Sequence, residues 1–340
     1  MRVTLQDVAR EAGVSVATVD RVLNRRPGVR PKTIEKVEQA IATLSYSPDS
    51  LSARISGRRL HRFAFVLPAG DNLFFHLLRS RVLETAGLPQ YPVGDVKVVE
   101  TDVFSATALA ATLSDLRGMV DGVAVVALDN AIVREAIDEL VASGTQVVTL
   151  VSDVPQSRRA HYVGPENVAA GRTAASLLGR FIGTRGGKIG LIAGSLHLRD
   201  HVERQAGFEQ VISSDFPELA VLPVREARDD MARVEEVTRA LIAEAPDLAG
   251  IYNVGAGNEG VIRALEATGR ARDIVCIGHE LLDHNRRALL SGTLDAVISQ
   301  DIGHEARSAL RVLRAHCDGM PIIAGQERIR IDIFVKENLP

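Results

Sequence analysis

The chain has 340 residues, 46% hydrophobic and 24% charged, with a net charge of −3; this composition belongs to a folded globular protein and excludes a disordered one. At roughly 100–200 residues per domain, the length predicts two or three cores. No window approaches about 18 consecutive apolar residues and the first seven lack an apolar secretory core, so no membrane contact is expected and the cytoplasm is the expected compartment.

Residues 1–60 carry 11 Lys and Arg against 6 Asp and Glu, a net +5 that suits a polyanion, and leave −8 to residues 61–340. Thr4-Leu5-Gln6-Asp7 fits a capping box, and Leu5, Val8, Ala9 and Ala12 follow at the spacing of one buried helix face. Gly13 supplies a positive-φ stop, and Ser15 caps a second helix whose buried stripe is Val19, Val22 and Leu23. Two short helices joined by a tight glycine turn are a helix-turn-helix, with Val16, Ala17, Asp20 and Arg21 exposed at the start of the second helix for base edges in a major groove. A third helix opens at Pro31 and buries Ile34, Val37, Ile41 and Leu44. The following segment, Pro48 to Gly57, has an N-cap in Asp49 but spans barely two turns, too short to order without a partner.

Thr4-Leu5-Gln6-Asp7-Val8-Ala9, Ala12-Gly13-Val14-Ser15, Ala17-Thr18-Val19, Arg21-Val22-Leu23-Asn24 and Tyr46-Ser47-Pro48 together resemble the lactose-repressor (LacI) family of bacterial regulators. The resemblance implies a head over residues 1–46, a hinge helix over 47–60 and a sensor over 61–340. It implies that Val16, Ala17 and Arg21 choose the DNA sequence, Arg21 as a bidentate guanine reader, while Ser15, Thr18, Asn24, Arg30 and Thr33 hold phosphates. It further implies that paired hinge helices of a homodimer dock in the minor groove of operator DNA, with Ile55 as wedge and Ser50, Ala53 and Arg54 beside it. Two residues depart from the family pattern: Asp20 stands where Ser is usual, an anion beside phosphates that either orients Arg21 or accepts from a cytosine amino group, and Ile55 stands where Leu is usual.

From Arg62 onward, apolar runs alternate with amphipathic stretches, the pattern of parallel sheets covered by helices. Strands are predicted at 63–67, 96–100, 122–128, 146–151, 188–193, 219–224, 248–253, 273–278 and 294–299. The set divides near Tyr162–Glu166, which predicts two doubly wound parallel-sheet lobes of the periplasmic binding protein kind. Such lobes bind ligands at the carboxyl ends of strands. Candidates there are Asp71, Asn72, Phe74, Phe75, Asp129 and Asp153 from the first half, and Arg199, His201, Arg204, Asn253, His279, Glu280 and Gln300 from the second. Many hydrogen-bonding groups with a few aromatics suit a sugar or polyol. A purine or sugar acid acting as co-repressor is the alternative, because Arg199 and Arg204 are available to a carboxylate. Glu203-Arg204 before Ala206-Gly207-Phe208, Asn167 with Ala170-Gly171, and Gln300-Asp301 at an expected crossover extend the family resemblance. Gly278-His279-Glu280 departs from the usual Gly-Phe-Asp.

Three further patterns bear on chemistry. Gly255-Ala256-Gly257-Asn258-Glu259-Gly260 satisfies GxGxxG with Glu280 about 20 residues on, the best argument for an NAD-binding enzyme. His279 to His284 resembles HExxH but is one residue too long: on a helix, positions i and i+5 diverge by about 140°. Cys276 and Cys317 lie far apart and read as packing residues. No cofactor, metal or catalytic set is expected. A sugar-binding protein that serves a transporter accounts for the lobes but not for the head.

Overall fold

The computed structural model describes residues 5–23, 28–44 and 60–340, and the chain divides into two compact units, Met1–Leu60 and His61–Pro340. In the first, α1 (Leu5–Ala12), α2 (Val16–Leu23) and α3 (Pro31–Thr43) enclose Val8, Ala9, Ala12, Val19, Val37 and Ala40. Ile41 and Leu44 are half-buried beside them, and Ala40, absent from the predicted stripe, takes a fully packed position. Gly13 stops α1 at φ 65°, and its neighbour Val14 donates its amide to the Ala9 carbonyl at 3.0 Å. Ser15 Oγ accepts the Thr18 amide at 3.2 Å, the N-cap its position predicts. The expected hinge helix, with Ser50, Ala53, Arg54 and Ile55, lies outside the described residues, as does Asn24.

The second unit starts with β1 (Arg62–Pro68), α4 (Leu73–Ala86), β2 (Asp95–Thr101), α5 (Ala106–Asp115), β3 (Gly122–Val125), α6 (Ala131–Ala142), β4 (Gln146–Leu150) and β5 (His161–Val163). These strands make an all-parallel sheet ordered β2-β1-β3-β4-β5. The interior strand β1 is buried on both faces: Phe63, Phe65 and Leu67 point to one core, Ala64 and Val66 to the other.

The chain then builds a second lobe from α7 (Asn167–Ile182), β6 (Gly187–Ala193), α8 (Arg199–Asp215), β7 (Leu219–Val221), β8 (Arg225–Glu226), α9 (Met231–Glu244), β9 (Leu248–Asn253), α10 (Asn258–Ala267), β10 (Val275–His279), α11 (Asp283–Ser291) and β11 (Ala296–Gln300). Its sheet runs β7-β6-β9-β10-β11, the winding of the first lobe repeated. After Gln300 the chain crosses back. Helix α12 (Ile302–Asp318) lays Ala306, Ala309, Leu310, Val312 and Leu313 against Phe63, Phe65 and Leu67 of the first lobe. A short helix, α13 (Ala324–Glu327), and a third crossing follow, and β12 (Ile331–Phe334) closes the second sheet antiparallel to β11.

Two doubly wound lobes are therefore present, but the predicted halves are not self-contained. The first lobe borrows α12 from residues beyond 300, and β5, β8 and β12 were not predicted. Each has four residues or fewer, too few to show a period of two. The crossings at 163–167 and 329–331 touch through a parallel bridge between Pro165 and Ile329.

Candidate functional site

In each lobe the strand order reverses beside the first strand, between β1 and β3 and between β6 and β9. Loops leaving strands on either side of such a reversal diverge and open a crevice. The two crevices face one another across a cavity of about 760 Å³. The first lobe lines it with Asp71, Asn72, Phe74 and Phe75 after β1 and with Asp102 and Phe104 after β2. The second contributes Asp200, His201 and Arg204 of α8, Arg228 to Arg233, the 255–259 loop, and His279, Glu280, His284 and Gln300.

Of the candidate ligand residues, nine line this cavity: Asp71, Asn72, Phe74, Phe75, His201, Arg204, His279, Glu280 and Gln300. Asn72 also accepts the Phe74 amide at 3.0 Å and so caps α4, which carries both phenylalanines to the wall. The rings of Phe74 and Phe75 meet edge to face at 5.1 Å.

Four candidates lie elsewhere, each committed to the protein's own groups. Asp129 pairs with Arg134 at 3.0 Å. Asp153 is held bidentately by Nε and Nη2 of Arg159 and accepts from Thr149 at 2.6 Å. Arg199 reaches Glu203 at 2.8 Å, one turn along its own helix. Asn253 is fully buried and spends its amide on the Ala256 carbonyl and Asn258. Strand ends supply local structural polar groups as readily as ligand groups, and sequence position alone does not separate them.

The cavity floor is a buried polar network. Arg204, 4% exposed, donates to Asn167 Oδ1 at 3.0 Å and to the Val254 carbonyl at 2.8 Å, and it lies 3.9 Å from Asp200. Asn167 in turn donates to the Tyr162 hydroxyl at the first interlobe crossing. His279 Nε2 and the Tyr252 hydroxyl share a hydrogen bond at 2.8 Å, and burial, with Arg204 and His201 nearby, holds this imidazole well below its usual range and hence neutral. Glu280 accepts from Gln300 Nε2 at 3.0 Å and from Ser299 at 3.3 Å, yet burial pushes its carboxyl up to about 7. Glu280 also stands at φ 67°, a left-handed conformation costly for a side-chain-bearing residue, held by the Ile298 carbonyl and by Asn285. Behind it, Glu305 is 0% exposed, and burial followed by repulsion from Glu280 drives its pKa well above the ordinary carboxylate value.

At the mouth, Arg228 of the second lobe lies 3.6 Å from Asp102 of the first and places its guanidinium 4.9 Å over the Phe104 ring. Sequence reading missed all three because Asp102 and Phe104 follow an unremarkable strand and Arg228 lies beside the two-residue β8. Arg228 and Asp229 both adopt positive φ, at 53° and 56°. That turn aims the Asp229 carboxylate at the Ala256 amide, 2.9 Å away, inside the GxGxxG segment. A Cβ on Gly255 would overlap this carboxylate, and one on Gly260 would overlap the backbone of α9. The glycines thus serve packing within the lobe, and an anion already occupies the amide at which a pyrophosphate would bind. His279 ends a strand rather than lying on a helix with His284, and no group of three metal-binding side chains occurs among the described residues.

In the head, Val16 is 41% exposed and Ala17 and Arg21 are exposed on one face of α2, while Asp20 is half-buried. Ser15 and Thr18 share a hydroxyl hydrogen bond at 2.9 Å, and Arg30 accepts the Thr33 amide with its carbonyl, which starts α3.

Residues 63–321 match the family model of the periplasmic binding protein domain, and residues 4–49 that of the bacterial regulatory proteins of the lacI family. Catabolite control protein A of Priestia megaterium is 30% identical over 152 residues, 45% of this chain and 44% of that protein. The sucrose operon repressor of Lactococcus lactis subsp. lactis is 39% identical over 80 residues, 24% of this chain and 25% of its own length. The matched segments thus span less than half of these curated relatives. Among solved structures, GanP, a glucose-galactose binding protein from Geobacillus stearothermophilus, superposes with a TM-score of 0.75 at 22% identity over 83% of this chain and 100% of that one. An ABC transporter solute binding protein from Burkholderia graminis, solved with D-arabinose, gives 0.74 at 22% identity over 82% and 96%. No helix among the described residues is long and apolar enough to cross a membrane.

Proposed function

Because the chain belongs to the periplasmic binding protein domain family and carries a lacI-family regulatory domain at its N-terminus, we propose that it is a transcriptional regulator controlled by a small molecule. The observation that carries this reading is one chain holding both a three-helix head, with exposed Val16, Ala17 and Arg21, and a polar, aromatic-walled cavity between two lobes. The head binds operator DNA, Arg21 reading a base pair in each half-site and Ser15, Thr18, Asn24, Arg30 and Thr33 contacting phosphates. A homodimer places two heads on the two halves of a near-palindromic operator. Residues 47–60 couple the parts, with Ile55 as the minor-groove wedge and Ser50, Ala53 and Arg54 against the DNA. A protein that works on DNA in this way belongs in the cytoplasm.

The effector is a hydroxyl-rich molecule, because the cavity joins hydrogen-bonding side chains to the aromatic residues Phe74, Phe75 and Phe104. Its binding draws the lobes together and releases the hinge, so DNA affinity falls, and DNA weakens effector binding by the same factor. Duplexes selected by the full chain from a random library, followed by fluorescence anisotropy with and without sugars and polyols, test this. A consensus with two related half-sites and a compound that weakens binding tenfold or more are expected. Binding without sequence preference refutes the regulator reading, and a compound that tightens binding refutes induction in favour of co-repression.

A further inference from the structure

We propose that the cavity takes a cationic ligand, a protonated amine carried on a hydroxylated framework such as an amino sugar or aminated polyol. The amine sits against Asp200 and Glu280 on the cavity floor. This inference rests on the reading of the cavity as the effector site and narrows the effector's chemical class.

The first ground is a charge imbalance in a buried place. Seven carboxylates line the cavity against three arginines. At the rim the imbalance has little force: Arg228 pairs with Asp102, Glu259 with Arg263 at 2.7 Å, and Asp230 caps α9. On the floor it is acute. Asp200, Glu280 and Glu305 are each at least nine-tenths buried and share one buried cation, Arg204, whose guanidinium already serves Asn167 and the Val254 carbonyl. Two histidines stand beside these carboxylates. His279 is held neutral, and His201 accepts the Ser195 amide at Nδ1 while its Nε2 lies 3.5 Å from Asp200 Oδ2, which leaves Asp200 Oδ1 unmet. Buried carboxylates without cations are costly, and burial accordingly pushes both glutamates toward their protonated forms.

The second ground is independent of charge. Two buried atoms of cavity-lining residues lack any hydrogen-bond partner among the described residues, Asp200 Oδ1 and Gln300 Oε1, and both are acceptors. An ammonium group offers donors and no acceptor, and it brings the charge the floor lacks. On this floor a carboxylate or phosphate group would meet acceptors and like charge, which disfavours an acid group there. Arg204 is already engaged, and Arg199 lies outside the cavity.

Matched compounds test the class by calorimetry on the full chain near pH 7: D-glucose, D-galactose and D-mannose, each with its 2-amino and 2-acetamido derivative, and an inositol with its aminated counterpart. We expect at least one amine to bind ten-fold or more tightly than both its hydroxyl parent and its acetylated form. Asp200→Asn should bring that ratio close to one. A parent sugar that binds as well as its amine overturns the proposal, as does a panel in which nothing binds. Should Asp200→Asn fail to fold, the ratios on the unaltered chain still decide. Anisotropy on the selected duplex separates the two readings, since a bound amine that leaves DNA affinity unchanged removes the regulatory role but keeps the ligand class.

Discussion

Replacing Glu280 with glutamine should stabilise the protein at high pH and not at low pH. The ordinary glutamate value in the unfolded chain is 4.5, and burial pushes the folded value to about 7. The folded chain therefore holds this proton more tightly, so stability is lost as pH rises from about 4.5 through about 7, and no further loss follows above that. The pKa difference corresponds to about 3 kcal/mol, an upper bound because the cavity admits water. Glutamine copies the protonated side chain and carries no charge to desolvate. It keeps one acceptor for Gln300 or Ser299 and loses the other, a cost of about 1 kcal/mol that does not vary with pH. Urea melts at pH 4.5, 6 and 8 should show Glu280→Gln gaining on the unaltered chain by roughly 2–3 kcal/mol between the extremes. A difference that stays constant with pH, or grows as pH falls, would refute the assignment of Glu280 as a carboxylate ionised against its surroundings.

Three further outcomes follow from the same geometry. Arg21→Ala should relax discrimination at one base pair per half-site by about 1–3 kcal/mol in a gel-shift series on single-base variants, and an equal loss on every sequence would assign Arg21 to phosphate instead. Gly260→Ala drives a methyl into the Met231 carbonyl and the Glu235 amide and should cost about 1–3 kcal/mol, read as a lower melting midpoint; an unchanged midpoint would mean that α10 moves away freely. Arg228→Ala removes a half-exposed ion pair and a ring contact across the mouth. It should leave the melting temperature within about a degree or two while raising the effector's dissociation rate several-fold in stopped-flow, and a large loss of stability would show that the pair holds the lobes rather than the ligand.

The lobes were legible because parallel strands buried on both faces read as apolar runs between amphipathic stretches, and Phe63 to Leu67 is such a run. The head was legible through local chemistry, Gly13 stopping one helix and Ser15 capping the next. What escaped was non-local. Nothing in the sequence of α12 says which sheet it covers, and a strand as short as β8 has no pattern to read. The same limit governs the cavity. Strand ends, with an ionisable stretch read as a loop that folds as the start of α8, pointed to nine lining residues but could not separate Asn253, turned inward onto Asn258, from Asp200, whose carboxylate keeps one oxygen unsatisfied. Asp200 was missed although Arg199, His201 and Arg204 of the same helix were named, because the sequence of that stretch does not mark which of its ionisable groups face the cavity.

The return of α12 to the first sheet has a consequence for synthesis. Phe63, Phe65 and Leu67 leave the ribosome early, but the helix that covers them is not made until residue 318, after all of the second lobe except β12. At about 5–20 residues per second, the interval from the end of β5 is on the order of ten to thirty seconds. Throughout it one face of a finished sheet is open to water and to neighbouring nascent chains. The second sheet waits longer still, since β12 ends at Phe334. The head, whose core closes within its first 44 residues, is under no such delay. A nascent chain stalled before residue 300 should therefore carry a folded head and also an apolar surface that a chaperone must shield.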